Sequence, residues 1–100
     1  MFEKNQPRYL TKGVDSTISL ALQIFLWELI DNLTEPRDYL QIFELSYTES
    51  GFQKIVHKQE QPEYIAEYVI IEELFPKAVN AKIYVIDDED HATMLLDEEY

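Results

Sequence analysis

Within the five residues Asp87, Asp88, Glu89, Asp90 and His91 the chain gathers four carboxylates and one imidazole. Such a donor set suits a hard or borderline divalent cation, and a metal reading would use Asp87, Asp88, Asp90 and His91. The competing reading is a solvated hairpin turn whose Asp side chains bond nearby backbone amides. An EF-hand needs alternating ligands in a twelve-residue loop, a central glycine and a late Glu between two helices, and this framework is missing. His57 belongs to a different segment, so a two-His zinc or iron site would require a tertiary coincidence. Acid–base chemistry would need a partly buried carboxylate beside a solvated one. Glu44 and Glu67 interrupt apolar runs, but strand alternation already explains both as solvent-facing. The sequence has no Gly-x-Ser-x-Gly, and its two glycines, Gly13 and Gly51, stand too far apart to build a phosphate loop. No cofactor is implied.

The same acidic segment has a second meaning. Twenty acidic side chains stand against eight basic ones, for a net charge of −12. No Lys or Arg follows Lys82, while Asp87, Asp88, Glu89, Asp90, Asp97, Glu98 and Glu99 crowd the C-terminal part. This balance opposes direct nucleic-acid binding and attachment to an anionic membrane. It favours a protein partner with a basic surface, contacted through Asp88, Asp90 and Glu98. Ordered carboxylates imitating nucleic-acid phosphates are a special case of that contact. A second candidate surface is apolar: Leu20, Ile24 and Trp27 fall together on one side of a predicted helix. Either the connection after the helix or a flanking loop packs over Trp27, or the patch is a self-association or partner surface, a homodimer contact being one form of it.

The elements that would position these residues are legible. From Ile18 to Leu33, 11 of 16 residues are apolar, and Ser16, Thr17 and Ser19 are candidate N-caps. Spacing near 100° per residue gathers Ile18, Leu22, Phe25, Leu26, Leu29, Ile30 and Leu33 on one face, which is the expected core face. Pro36 ends the helix. Strands are expected at Arg8 to Val14, Asp38 to Thr48, Phe52 to Gln59, Tyr64 to Ile71, Ala81 to Asp87 and Ala92 to Asp97. Glu49-Ser50-Gly51 turns the second of these into the third. Phe52 to Gln59 has no wholly apolar face, as expected near a sheet edge, and its lysines discourage edge-to-edge pairing. Ala81 to Asp87 is apolar on both faces, which predicts a central strand covered on each side. Glu72 to Asn80, with Pro76, reads as a loop or a short turn. The sum is an α+β fold with a mostly antiparallel five- or six-stranded sheet and one main helix packed on one face.

An apolar fraction of 46% with 13 aromatics describes a chain able to build a core, and one hundred residues suit a single domain over 1–100. The absence of cysteine removes a disulfide scaffold and makes the cytoplasm the default address. Met1 to Arg8 lacks the apolar run of a signal peptide, and no stretch approaches the roughly 20 apolar residues that span a bilayer.

The stretches RYLTKGV and LQIFLWELID, together with AKIYVIDDEDHATMLLDEEY, resemble a family of small proteins from Gram-positive bacteria known as domain of unknown function 960. The C-terminal stretch is the most specific part: a strand, an acidic turn ending in His91, a Thr93-Met94-Leu95-Leu96 strand and a final Glu98-Glu99-Tyr100. The resemblance implies a small bacterial cytosolic protein and carries over no catalytic or binding residue. The reading that results is a non-enzymatic interaction module for itself or a basic partner, with a divalent-metal protein as the alternative.

Overall fold

The computed structural model describes residues 1–3, 5–71 and 76–100. Its elements are β1 (Arg8–Leu10), α1 (Lys12–Thr17), α2 (Leu20–Asp31), β2 (Leu40–Tyr47), β3 (Gln53–Gln59), β4 (Tyr64–Ile70), β5 (Ala81–Asp87) and β6 (Ala92–Leu96), with a 3-10 turn at Asp97–Glu99. The six strands form one sheet in the order β1-β6-β5-β2-β3-β4. β1 runs parallel to β6 and every other pairing is antiparallel, so the sheet is mixed and the fold is α+β.

α2 begins where Ser19 Oγ accepts the amide of Leu22 at 3.2 Å, leaving Ile18 in extended backbone. A side-chain oxygen there satisfies one of the amides that the first helical turn leaves open. The expected face holds: Ile18, Leu22, Leu26, Ile30 and Leu33 are buried, and Phe25 and Leu29 pack at its flank. They close over Phe43, Ile55, Ile83, Val85 and Met94 of the sheet. Each such side chain contributes about 1.5–3 kcal/mol on burial. Phe2 plugs the same core from the N-terminal segment.

Two local readings change, those of Arg8 to Val14 and of the cover on Ala81 to Asp87, while the place of Phe52 to Gln59 near a sheet edge holds. Arg8 to Val14 is strand only through Leu10, because Thr11 Oγ1 accepts the Val14 amide at 3.3 Å and turns the chain into α1. Val14 then points into the core. Gly13 admits the Glu99 carboxylate: a Cβ there would sit 2.7 Å from it and would displace that side chain. β3 lies one strand inside the edge, and its buried side is the one bearing Gln53, Ile55, His57 and Gln59. β5 is central as expected, yet it is covered on one face, with Tyr84 and Ile86 half-exposed on the other.

At the β2–β3 turn Gly51 takes φ +85°, a left-handed conformation that glycine adopts without Cβ strain. Of the expected loop Glu72 to Asn80, residues 72–75 lie outside the described residues and 76–80 form neither helix nor strand. Among the described residues no helix is long and apolar enough to cross a membrane.

Candidate functional site

The acidic turn divides its residues between two tasks. Asp87 is turned inward: one carboxylate oxygen accepts the Phe2 amide, and the other accepts Gln6 Nε2 at 2.9 Å and the Glu89 amide at 2.6 Å. Burial alone would raise its pKa, but these hydrogen bonds favour the charged form and hold it below the ordinary carboxylate value. Asp87 thus pins the N-terminal segment and shapes the turn. Asp88 and Asp90 are exposed, and Asp88 Oδ2 lies 3.5 Å from His91 Nε2. The His91 ring meets Tyr9 edge-on at 5.6 Å. Among the described residues no three His, Cys, Asp or Glu side chains gather as a metal would require. His57 stands three strand spacings from β6, roughly 14 Å away, and does not join this turn.

Glu98 lies beyond the other end of β6, so Asp88 and Asp90 are separated from it by the length of a five-residue strand, roughly 17 Å. The acidic residues form two clusters, not one. Beside Glu98, Glu99 Oε1 accepts the Thr11 hydroxyl at 2.6 Å and the Leu96 amide at 2.9 Å. These contacts, the Thr11 bond foremost, lower its pKa.

The apolar patch on α2 is smaller than its spacing implies. Leu20 and Ile24 are 69% and 49% exposed, but Trp27 is half-buried. The Arg8 guanidinium sits 4.6 Å from the Trp27 ring centroid and grips Asp31 through two nitrogens at 3.1 and 2.5 Å. Arg8, a strand residue, supplies cover that the sequence did not reveal.

A buried polar cluster lies under α2 that the strand pattern did not reveal. His57 Nε2 is 2.6 Å from Gln41 Oε1; Gln41 Nε2 donates to Gln59 Oε1 at 2.7 Å and to the Asp38 carbonyl at 2.9 Å. Gln59 Nε2 donates to the carbonyls of Pro36 and Pro62, both at 2.9 Å. The His57 ring stacks on Phe43 at 4.5 Å and meets Tyr64 edge-on at 5.4 Å. Because Gln41 Oε1 accepts, Nε2 carries the proton; Nδ1 is buried without a hydrogen-bond partner. Burial lowers the His57 pKa to about 4. A neutral, fixed imidazole serves here to tie β2, β3 and the Pro36 connection together.

The opposite face of the sheet carries Ile42, Val56, Ile65, Val69, Tyr84 and Ile86, and neither helix packs on it. Lys58 and Glu44 pair across it at 3.0 Å and Lys54 and Glu67 at 3.8 Å, so both glutamates face solvent as the alternation implied. Tyr100 stands edge-on to Tyr84, and Lys82 lies 5.7 Å from the Tyr84 ring. Near the β3–β4 turn an open recess of about 430 Å³ is bounded by Ile42, Lys58, Tyr64 and Ile65. The sequence showed the alternating apolar positions but not that, among the described residues, neither helix would cover this face and only its β6 side, at Leu95 and Tyr84, would be shielded.

A mixed sheet with helices on one face and an open, lysine-bearing apolar face on the other defines an α+β fold whose exposed features are surfaces. The chain belongs to the family described as "Staphylococcal protein of unknown function (DUF960)", matched over residues 7–99. It is similar to a protein whose structure is described as "Crystal structure of the protein of unknown function from Enterococcus faecalis". The TM-score is 0.84 at 25% identity, over 99% of this chain and 94% of that one. No curated protein matches the chain.

Proposed function

We propose that this chain is a non-enzymatic protein-interaction module of the bacterial cytoplasm. The observation that carries the reading is the sheet face that neither α1 nor α2 covers, where Ile42, Val56, Ile65, Val69, Tyr84 and Ile86 lie among paired lysines and glutamates. An antiparallel sheet commonly turns a polar face to water, and this one interleaves apolar side chains with the Lys58–Glu44 and Lys54–Glu67 pairs, a mixture that binding surfaces also present. The cysteine-free sequence supports the cytoplasmic address.

A second reading keeps the acidic contact, because Asp88, Asp90 and Glu98 are all exposed. A basic partner using all three would have to span β6.

Affinity capture from cytosolic extract separates the two. The wild type is compared with an open-face variant, Val56→Lys with Ile86→Lys, and with an acidic variant, Asp88→Asn, Asp90→Asn and Glu98→Gln. A partner lost with the face variant and kept with the acidic one supports the sheet-face reading. A partner lost with the acidic variant and with added salt supports the basic-partner reading. Partners indifferent to both variants count against both.

A further inference from the structure

The sheet ends in two unlike edges. β1 has three residues, and its Arg8 is occupied by Trp27 and Asp31. β4 has seven residues in unbroken register with β3, from Gln53↔Ile70 to Gln59↔Tyr64, and nothing pairs with its other side among the described residues. Such an edge is a template for another strand, and proteins ordinarily blunt it with lysine, proline, a bulge or a covering loop. β4, Tyr-Ile-Ala-Glu-Tyr-Val-Ile, has none of these within it, and its single charge, Glu67, is held by Lys54.

The ladder shows which amides are free. The Thr48 amide donates to the Phe52 carbonyl at 2.9 Å, which turns the even-numbered amides of β3 toward β2 and the odd-numbered ones toward β4. With His57 opposite Ala66, the even-numbered amides of β4 face β3, and those of Ile65, Glu67 and Val69 face outward. Ile65 and Val69 are 64% and 47% exposed, and Ile71, just beyond the strand, is 71% exposed.

Charge decides the occupant. Asp87, Asp88, Glu89, Asp90, Asp97, Glu98 and Glu99 all lie around β5 and β6. β4 is four strand spacings from β6, roughly 19 Å, beyond the roughly 8 Å screening length at physiological salt. Around β3 and β4, Lys54 and Lys58 stand against Glu60, Glu63 and Glu67, and Glu72 and Glu73 follow Ile71 in the sequence, so this end is acidic too but less so than the β5–β6 end. Two copies meeting there keep their acidic clusters apart; at the β1 edge they would bring them together.

We propose that β4 pairs with β4 of a second copy, antiparallel about a two-fold axis, joining two six-stranded sheets into one continuous sheet. This rests on the interaction-module reading and names its partner. A register centred on Glu67 would set two glutamates directly opposite, which is unfavourable. Centring on Tyr68 sets Glu67 opposite Val69 of the partner subunit and Ile65 opposite Ile71 of the partner subunit. The outward amides then meet outward carbonyls, and the exposed aliphatic side chains leave water.

Sedimentation equilibrium of the full chain from micromolar to millimolar concentration is the test, with amide hydrogen exchange alongside. The expected result is a mass that doubles with concentration, with Glu67 and Val69 amides gaining protection as it does. Val69→Pro deletes an outward amide without breaking a bond to β3, and Ile65→Lys adds an edge charge; both should remain monomeric throughout. If far-UV circular dichroism shows Val69→Pro unfolded, Ile65→Lys decides. A wild type monomeric at every concentration overturns the proposal, as does a dimer that survives Ile65→Lys. A monomer that still captures a partner through the open face overturns self-pairing and leaves the module reading standing. A β4-dependent dimer that captures no other protein confines the module to itself.

Discussion

The two histidines of this chain have opposite fates. His57 is fully buried, stacked on Phe43 and bonded to Gln41, and burial depresses its pKa to about 4. His91 is half-exposed, against Asp88 on one side and Tyr9 on the other. By residue type His91, amid carboxylates, was the more suggestive of chemistry. The structure gives the greater energetic weight to His57, because a polar group inside the core must be satisfied or is costly, while the same group at the surface can fall back on water.

The largest effect expected from that contrast comes from His57→Ala, which leaves a cavity beneath Phe43 and strands Gln41 Oε1. About 3–5 kcal/mol of stability should be lost in urea unfolding at neutral pH. His57→Phe fills the volume but still strands the Gln41 oxygen, so about 1–3 kcal/mol should go.

Acid acts on the same residue. The unfolded imidazole takes up a proton near pH 6.5 and the folded one near pH 4, so stability is fully present above 6.5 and falls as pH drops between those values. At about 1.4 kcal/mol per pH unit the total loss is about 3 kcal/mol, levelling off below pH 4. Urea titrations at pH 7.5, 5.5 and 4.5 check this, and the slope should flatten in His57→Phe. Asp87, whose pKa is lowered, loses its contribution in a separate, more acidic window as pH falls through its folded value.

Asp87→Ala removes the acceptor for Phe2, Gln6 and Glu89 and should cost about 1–3 kcal/mol, with faster amide exchange at Phe2. The smallest effect belongs to the exposed pair: His91→Ala or Asp88→Asn should shift stability by no more than about 0.5 kcal/mol. A loss comparable to that of His57→Ala would erase the contrast between the two histidines.

Much of the architecture was readable because it rests on local chemistry. The recurrence of Leu22, Leu26 and Ile30 every four residues specifies a helix with one buried side, and Ser19 marks its start. The apolar run on both faces of Ala81 to Asp87 marks a strand well enough to predict its central place, though not that only one face is covered. Thr11 was a legible cap that the β-prone Arg8 to Val14 run obscured; a hydroxyl three residues before a core valine was the missed signal. The polar side of β3 could not be chosen from its pattern. Burying Gln53 is permitted by the Ser46, Lys54 and Val79 carbonyls, and two of those acceptors, Ser46 and Val79, lie in other segments.

The sequence by itself determined the kinds of element, the apolar side of α2 and a charge layout that crowds carboxylates toward one end. Each follows from properties that reside in a few consecutive residues. The tertiary structure decided that Asp87 is an internal anchor, that Arg8 covers Trp27, and that His57 and Gln41 share a buried bond. It also decided that, among the described residues, β4 is the long strand with an unpaired edge. Strand order and burial depend on which distant segments meet. A side chain's role is set by its neighbours, and alternation alone does not name them.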